Sequence, residues 1–213
     1  MRTNVNKKIL IYIFGITMAI IVCIPFYWMI ITSLKGKGAI MSIPVEWIPK
    51  KPTLNAYKKL FEMPDFLKSI FNSFYVSIVC TFVRLFCAAM AAFALTKIPF
   101  KGQSKIFGIY LTALMIPAQI TFIPLFIIMT SMKLTNNLSS FMLLQLFNAF
   151  AIFMFRQKMM TINDAYIEAA IIDGANMWEV FIKIVLPMSS STIATLSILA
   201  FMDLWNDYLL PLV

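Results

Sequence analysis

Five apolar runs, residues 9–31, 68–95, 106–131, 138–157 and 189–212, leave this chain few folds to choose from. Each lies near the roughly 20 residues that a helix needs to cross a bilayer. The fold they predict is all-α: a polytopic transmembrane helix bundle with about five spans. A hydrophobic content of 61%, with 13% charged residues, leaves little chain for a separate soluble domain. The expected division is residues 1–67, a first transmembrane helix followed by an external polar segment, and residues 68–213, one membrane core. Within the polar segment, Leu54, Tyr57, Leu60 and Phe61 keep helical spacing and predict a short interfacial helix.

The net charge of +9 would suggest a nucleic-acid partner in a soluble protein. Here the lysines flank apolar runs, where they meet lipid headgroups, and no nucleic acid is expected. Cys23, Cys80 and Cys87 all sit inside apolar runs and are read as reduced thiols. There is no histidine, so neither a zinc site nor a histidine base is expected. No catalytic residue and no metal ligand is assigned. The run from Ile9 to Ile31 is longer than the apolar core of a signal peptide and lacks a small-residue cleavage site. It reads as a retained first span. Charge does not orient the bundle: with the N-terminus inside, nine basic residues fall on the inner side and eight on the outer.

Residues 164–187, DAYIEAAIIDGANMWEVFIKIVLP, stand apart as a polar, helix-forming segment. Asn163 or Thr161 can cap a first short helix whose first turn carries Asp164, favourable at a helix N-terminus. Ala165 and Ala169 share a face at i and i+4, with Ala170 beside them. Small side chains there let another protein's groove approach the backbone, and Glu168 projects from the same turns toward any basic partner. Gly174 stands where a left-handed cap would end the helix. Asn176 then starts a second helix, with Glu179 as its capping-box partner. Val180, Phe181 and Ile184 would pack that helix on the bundle, and Pro187 would turn the chain. Two short helices set at an angle make a rigid elbow, which can transmit a push.

The order Glu168-Ala169-Ala170, Asp173-Gly174, Ile184 and Leu186-Pro187 resembles the EAA loop of bacterial ABC importer permeases. Further likeness lies in Asn72-Ser73, in Ala91 to Leu95 with Lys97 and Gly102, in Ile116-Pro117 through Leu125, and in Leu134 to Asn137. Trp205-Asn206-Asp207-Tyr208-Leu209-Leu210-Pro211-Leu212 is similar to the carbohydrate branch, the maltose- and multiple-sugar-type permeases, and there to the MalG-like second membrane subunit. The resemblance implies a type I ABC importer permease fold. It also implies a bacterial cytoplasmic-membrane location, with the N-terminus and the EAA loop cytoplasmic. The partners it implies are a sister permease, an ABC ATPase dimer, an extracellular solute-binding protein and membrane lipid. It makes residues 168–170, 173, 174, 184, 186 and 187 the surface that couples to the ATPase. The chain would bind no cofactor, ATP and Mg residing on the partner; it carries no phosphate-binding loop of its own. Two departures stand out. Ser189-Ser190-Ser191 occupies a stretch where the family commonly has a second proline, which softens the turn into the fifth span. The chain also ends on an apolar run, which implies that the family's sixth helix is missing.

Arg84 lies well inside the second run, where an arginine costs about 2.5–3.5 kcal/mol on insertion scales. It is expected to face the bundle interior or a water-filled cavity. Gln119, Gln145 and Asn148 are candidates for the pathway or for hydrogen bonds between helices. Trp205, Asn206 and Asp207 combine a ring with polar groups, the chemistry that a sugar requires, and equally suit an aromatic belt. The function expected is a permease subunit that forms a sugar pathway with its sister and hydrolyses nothing itself. The alternatives are a permease for a non-sugar solute or an ATPase-independent carrier.

Overall fold

The computed structural model describes residues 2–135 and 137–208, with side chains for all of these except 2–6, 118, 139 and 141. Every regular element among the described residues is helical. The chain forms two compact units, Met1–Ile70 and Phe71–Val213.

In the first unit α1 (Arg2–Ser33) carries its described side chains on the outside, with none of its apolar window buried. An all-round apolar helix of this kind is suited to lipid or to other helices, not to water. The chain then crosses back over the end of α1. The Thr53 amide donates to the Leu34 carbonyl at 2.8 Å, and the Tyr27 hydroxyl donates to the Trp47 carbonyl at 2.8 Å. Trp47 meets Trp28 edge-on at 5.4 Å, and the Lys35 ammonium sits 4.3 Å from the centre of the Trp28 ring. The expected short helix is present as α2 (Asn55–Glu62), tied to α1 through the Tyr57 and Ser33 hydroxyls at 2.7 Å.

The second unit is organised around α3 (Phe66–Lys97). Its face of Leu85, Ala88, Ala89, Ala92 and Phe93 is buried. The alanines let neighbouring backbones come close, as at helix contacts in membranes. The helices that follow are α4 (Gln103–Ala113), α5 (Ala118–Ser131), α6 (Leu138–Leu144), α7 (Ala149–Met160) and α8 (Ala165–Ile172). Next come α9 (Met177–Val180), a π-helical turn Phe181–Val185, α10 (Leu186–Met188) and α11 (Ser190–Asn206). Phe155 and Met159 of α7 close the core against Val180, Phe181 and Val185, all within 1% of complete burial.

Among the described residues, two helices are long and apolar enough to cross a membrane, Lys7–Ser33 and Phe66–Lys97. A third span arises if Met177–Met188 and Ser190–Asn206, bent by 77°, count as one. The all-α membrane bundle is therefore present with at least two to three candidate spans among the described residues, where about five were expected. The run 106–131 is broken between α4 and α5, because Pro117 has no amide to donate and pushes Ile116 out of the helical region. Pro117 instead precedes α5 as its extended cap, φ −62° and ψ 131°. The run 138–157 is broken between α6 and α7, where extended Asn148 (φ −133°, ψ 110°) starts a new helix and accepts from the Ala151 amide at 2.9 Å. In the run 189–212 the described helix ends at Asn206, and Leu209 to Val213 lie outside the described residues.

Candidate functional site

The loop 164–187 folds as two helices joined by a fixed corner. Its first helix, α8, is anchored at the start. Lys97, at the end of α3, donates from Nζ to the Ile162 carbonyl at 2.7 Å and pairs with the Asp164 carboxylate. The Lys97 side chain is 5% exposed, so this ion pair is partly desolvated. Asn163, not Thr161, supplies the local cap, its Oδ1 accepting from the Ala165 amide at 3.0 Å.

The end of α8 is a left-handed corner. Gly174 has φ +89°, a conformation open to glycine and costly for other residues. The Ala175 amide reaches back to the Ala170 carbonyl at 2.9 Å and the Gly174 amide to the Ile171 carbonyl at 3.0 Å, the paired bonds of a Schellman cap. Asn176 then opens α9 with a complete capping box: Oδ1 accepts from the Trp178 and Glu179 amides, each at 3.0 Å, and the Asn176 amide donates to the Glu179 carboxylate at 3.1 Å.

Glu168 and Ala169 are exposed on α8, Ala170 is half-buried against the core, and Asp173 closes the helix as its C-cap. Ile172 is 84% exposed, with Tyr166 and Ile171 also open, so α8 presents an apolar and small-residue surface. Ile184 and Leu186 are half-buried, and Pro187 is exposed. The π-helical turn lies immediately before Pro187, whose ring would meet the Lys183 carbonyl in a regular helix. The 77° bend then falls at Ser189, which is fully buried and donates from its hydroxyl to the Val185 carbonyl at 2.8 Å.

Glu179 is held below the usual carboxylate range, chiefly by the hydrogen bond from Lys183, then by the Asn176 amide and the Lys183 charge. A carboxyl lowered in the folded state supports that state above its unfolded pKa and loses the contribution as pH falls through the lowered value. We expect the corner to loosen only at pH below the ordinary glutamate value. The check is Trp178 fluorescence in a variant with the other tryptophans replaced by phenylalanine; an acid transition that persists unchanged in Glu179→Gln would refute the assignment.

A second constellation lies about 20 Å along α3 from its Lys97 end, at 1.5 Å per residue. Arg84 is 3% exposed there. Its Nε donates to the Gln145 carbonyl at 2.9 Å, Nη1 to Asp203 Oδ2 at 3.0 Å, and Nη2 to Gln145 Oε1. Gln145 Nε2 donates onward to Asp207 Oδ2 at 3.3 Å. Of the sequence candidates, the structure thus joins Arg84, Gln145 and Asp207. Trp205 stacks on Phe201 at 5.8 Å and meets Phe74 edge-on at 6.4 Å beside them. Asn206 bonds back to the Met202 carbonyl at 2.7 Å. Asn148 serves as the α7 cap, and Gln119 is exposed on α5 with no hydrogen bond to this network.

Sequence reasoning missed Asp203 and Lys97 as site residues. Asp203 stands one helical turn before Asp207 in an apolar run, a spacing that puts both carboxylates on one face. A greasy groove of about 530 Å³, walled in part by Phe82, Phe86 and Leu186, runs beside the network.

The family model for "binding-protein-dependent transport system inner membrane component" matches residues 84–213. Among curated relatives, a probable ABC transporter permease protein of Sinorhizobium fredii is 30% identical over 99% of this chain and 76% of its own length. The arabinooligosaccharides transport system permease protein of Halalkalibacterium halodurans is 31% identical over 92% of this chain and 71% of its own. Among solved structures, a bacterial ABC transporter involved in the import of the acidic polysaccharide alginate aligns with a TM-score of 0.79 and 25% identity. That alignment covers 92% of this chain and 71% of the other.

Proposed function

Because the chain belongs to the family of binding-protein-dependent transport system inner membrane components, we propose that it works as the second, MalG-like membrane subunit of an importer for a sugar or oligosaccharide. Membership makes it a permease component of an ABC importer, a transport subunit and not a catalytic domain. Importers of this family combine permeases with an ATPase and a solute-binding protein. On our reading the sister permease completes the pathway, and an ATPase dimer docks on α8. The binding protein delivers solute from outside, and the N-terminus and the loop 164–187 face the cytoplasm. Residues 1–67 form the first span and an external segment, and residues 68–213 form the permease core. On this reading the runs broken at 114–117 and 145–148 still cross the membrane, and the exposed residues 114–117 need cover from a partner subunit there.

The observation that carries this reading is the loop's construction. A Schellman cap, a capping box and an ion pair to α3 fix a surface whose outermost side chains, Glu168, Ala169 and Ile172, contribute little to the chain's own core. A surface held rigid yet left open suits a partner. The sugar assignment is supported by the names of similar proteins and by the Trp205 ring beside Asp203 and Asp207. Purified in mild detergent from its native membrane, the chain should bring down a second permease and an ATPase. Recovery of the intact chain alone across several detergents would overturn the reading.

A further inference from the structure

The segment that returns over the end of α1 carries its apolar side chains outward. Met41, Ile43, Val45 and Ile48 are exposed, Ile43 to 96%. The depth of this segment is set by α1. Lys7 and Lys8 mark one end of that helix's apolar stretch, and Tyr27 and Trp28 lie about 20 residues on, about 30 Å at 1.5 Å per residue. That is the thickness of a hydrocarbon core, so the two aromatic residues stand in the belt at its far side. The Tyr27 hydroxyl and the Trp28 ring hold Trp47 at their own level. Ser33 lies about 9 Å further out, among the headgroups, and there its hydroxyl meets Tyr57 of α2.

Charge follows the same layering. Six lysines and two glutamates stand between Leu34 and Glu62. Glu46 pairs with Lys50 at 3.4 Å, while Lys37, Lys51, Lys58 and Lys59 are exposed and form no ion pair among the described residues. The Lys35 ammonium is enclosed over the Trp28 ring without a hydrogen-bond acceptor. Resting on the reading of α1 as a first span with its N-terminus inside, we propose that residues 41–48 and α2 form an interfacial anchor for anionic lipid. The apolar side chains enter the outer leaflet, and the lysines above them hold its phosphates. Apolar area and attraction to anionic headgroups add in such an anchor, the second acting within a Debye length of the surface. Lysine is depleted from protein interfaces and enriched where chains meet headgroups, so this surface fits lipid and not a second protein. The anchor fixes the depth and tilt of α1.

The test uses the assembled importer in phosphatidylcholine vesicles with and without phosphatidylglycerol. Cys23, Cys80 and Cys87 are replaced by alanine, and a nitroxide is attached in turn at Ile20→Cys, Ile43→Cys and Lys51→Cys. The importer without these thiols gives the background. The readout is the ratio of collisions with oxygen, which concentrates in lipid, to collisions with a neutral nickel chelate, which stays in water. Ile43 should give a ratio severalfold above that of Lys51 and approach that of Ile20 in mid-span. Phosphatidylglycerol should raise the ratio at Ile43, and Lys51→Gln, Lys58→Gln and Lys59→Gln together should abolish that rise. A nickel-favoured ratio at Ile43 with an oxygen-favoured one at Ile20 would overturn the anchor alone; nickel-favoured ratios at both would overturn the span as well. Few collisions with either reagent at Ile43 would show that a protein covers the segment, which also overturns the anchor. An oxygen-favoured ratio indifferent to phosphatidylglycerol, or a rise that survives the three glutamines, would overturn the role of the lysines in holding anionic lipid.

Discussion

Replacing Gly174 by glutamate is expected to abolish solute uptake while leaving the chain inserted in the membrane. Gly174 has φ +89°, where a residue with a Cβ is strained by about 1–2 kcal/mol. Nothing lies within 4 Å of the position that a Cβ would take, so no internal clash adds to this strain. The whole effect is then local: the corner between α8 and α9 opens, and a bulky charge appears on the face that a partner would cover. Gly174→Ala carries the conformational cost without the bulk and should give a partial loss. The check is uptake of labelled sugar into vesicles, normalised to the amount of chain in the membrane, with ATPase co-purification read in the same preparation. Normal uptake by Gly174→Glu would remove the docking role from this loop.

Arg84→Met is expected to have the largest effect on stability. The side chain is 3% exposed and makes three bonds to two partners. Removing it strands the Gln145 carbonyl and side chain without donors, at about 1–3 kcal/mol for each buried group. Asp203 is 68% exposed, so its own contribution is screened and adds little. The two stranded Gln145 groups together cost about 2–6 kcal/mol, which should lower the thermal midpoint of the solubilised complex by about 10 °C. Arg84→Lys keeps the charge but not the planar fork and should fall between. Size-exclusion profiles after heating provide the measurement, and an unchanged midpoint for Arg84→Met would show that the network contributes nothing to stability.

The corner at Gly174 was legible in the sequence because its bonds are local. Glycine, Asn176 and Glu179 each act within five residues, so their types and spacing carry the geometry. The breaks in the apolar runs were hidden by the same property that marked the runs as spans. Hydropathy averages over Pro117 and Asn148, whereas the backbone answers to each of them singly. Arg84 announced itself as a costly residue, but its partners lie 61 and 119 positions away, a distance that only the fold can close. Asp203 gave no sign of its role in the sequence, because nothing local says that an arginine waits opposite it. Lys97 was noticed only as part of a family pattern; its buried bond to Asp164 needed coordinates.

The bend at Ser189 turns angle into distance. From Ser190, Asp203 stands about 20 Å out along α11 at 1.5 Å per residue. A rotation of about 10° at this elbow therefore carries the carboxylate sideways by about 3–4 Å, more than the whole length of an ordinary hydrogen bond. A hydroxyl and a few carbonyls at Ser189 thus hold the short end of a lever, and the Arg84–Asp203 pair sits at its long end. A displacement too small to disturb the packing beside the fulcrum is large enough to part those two charges.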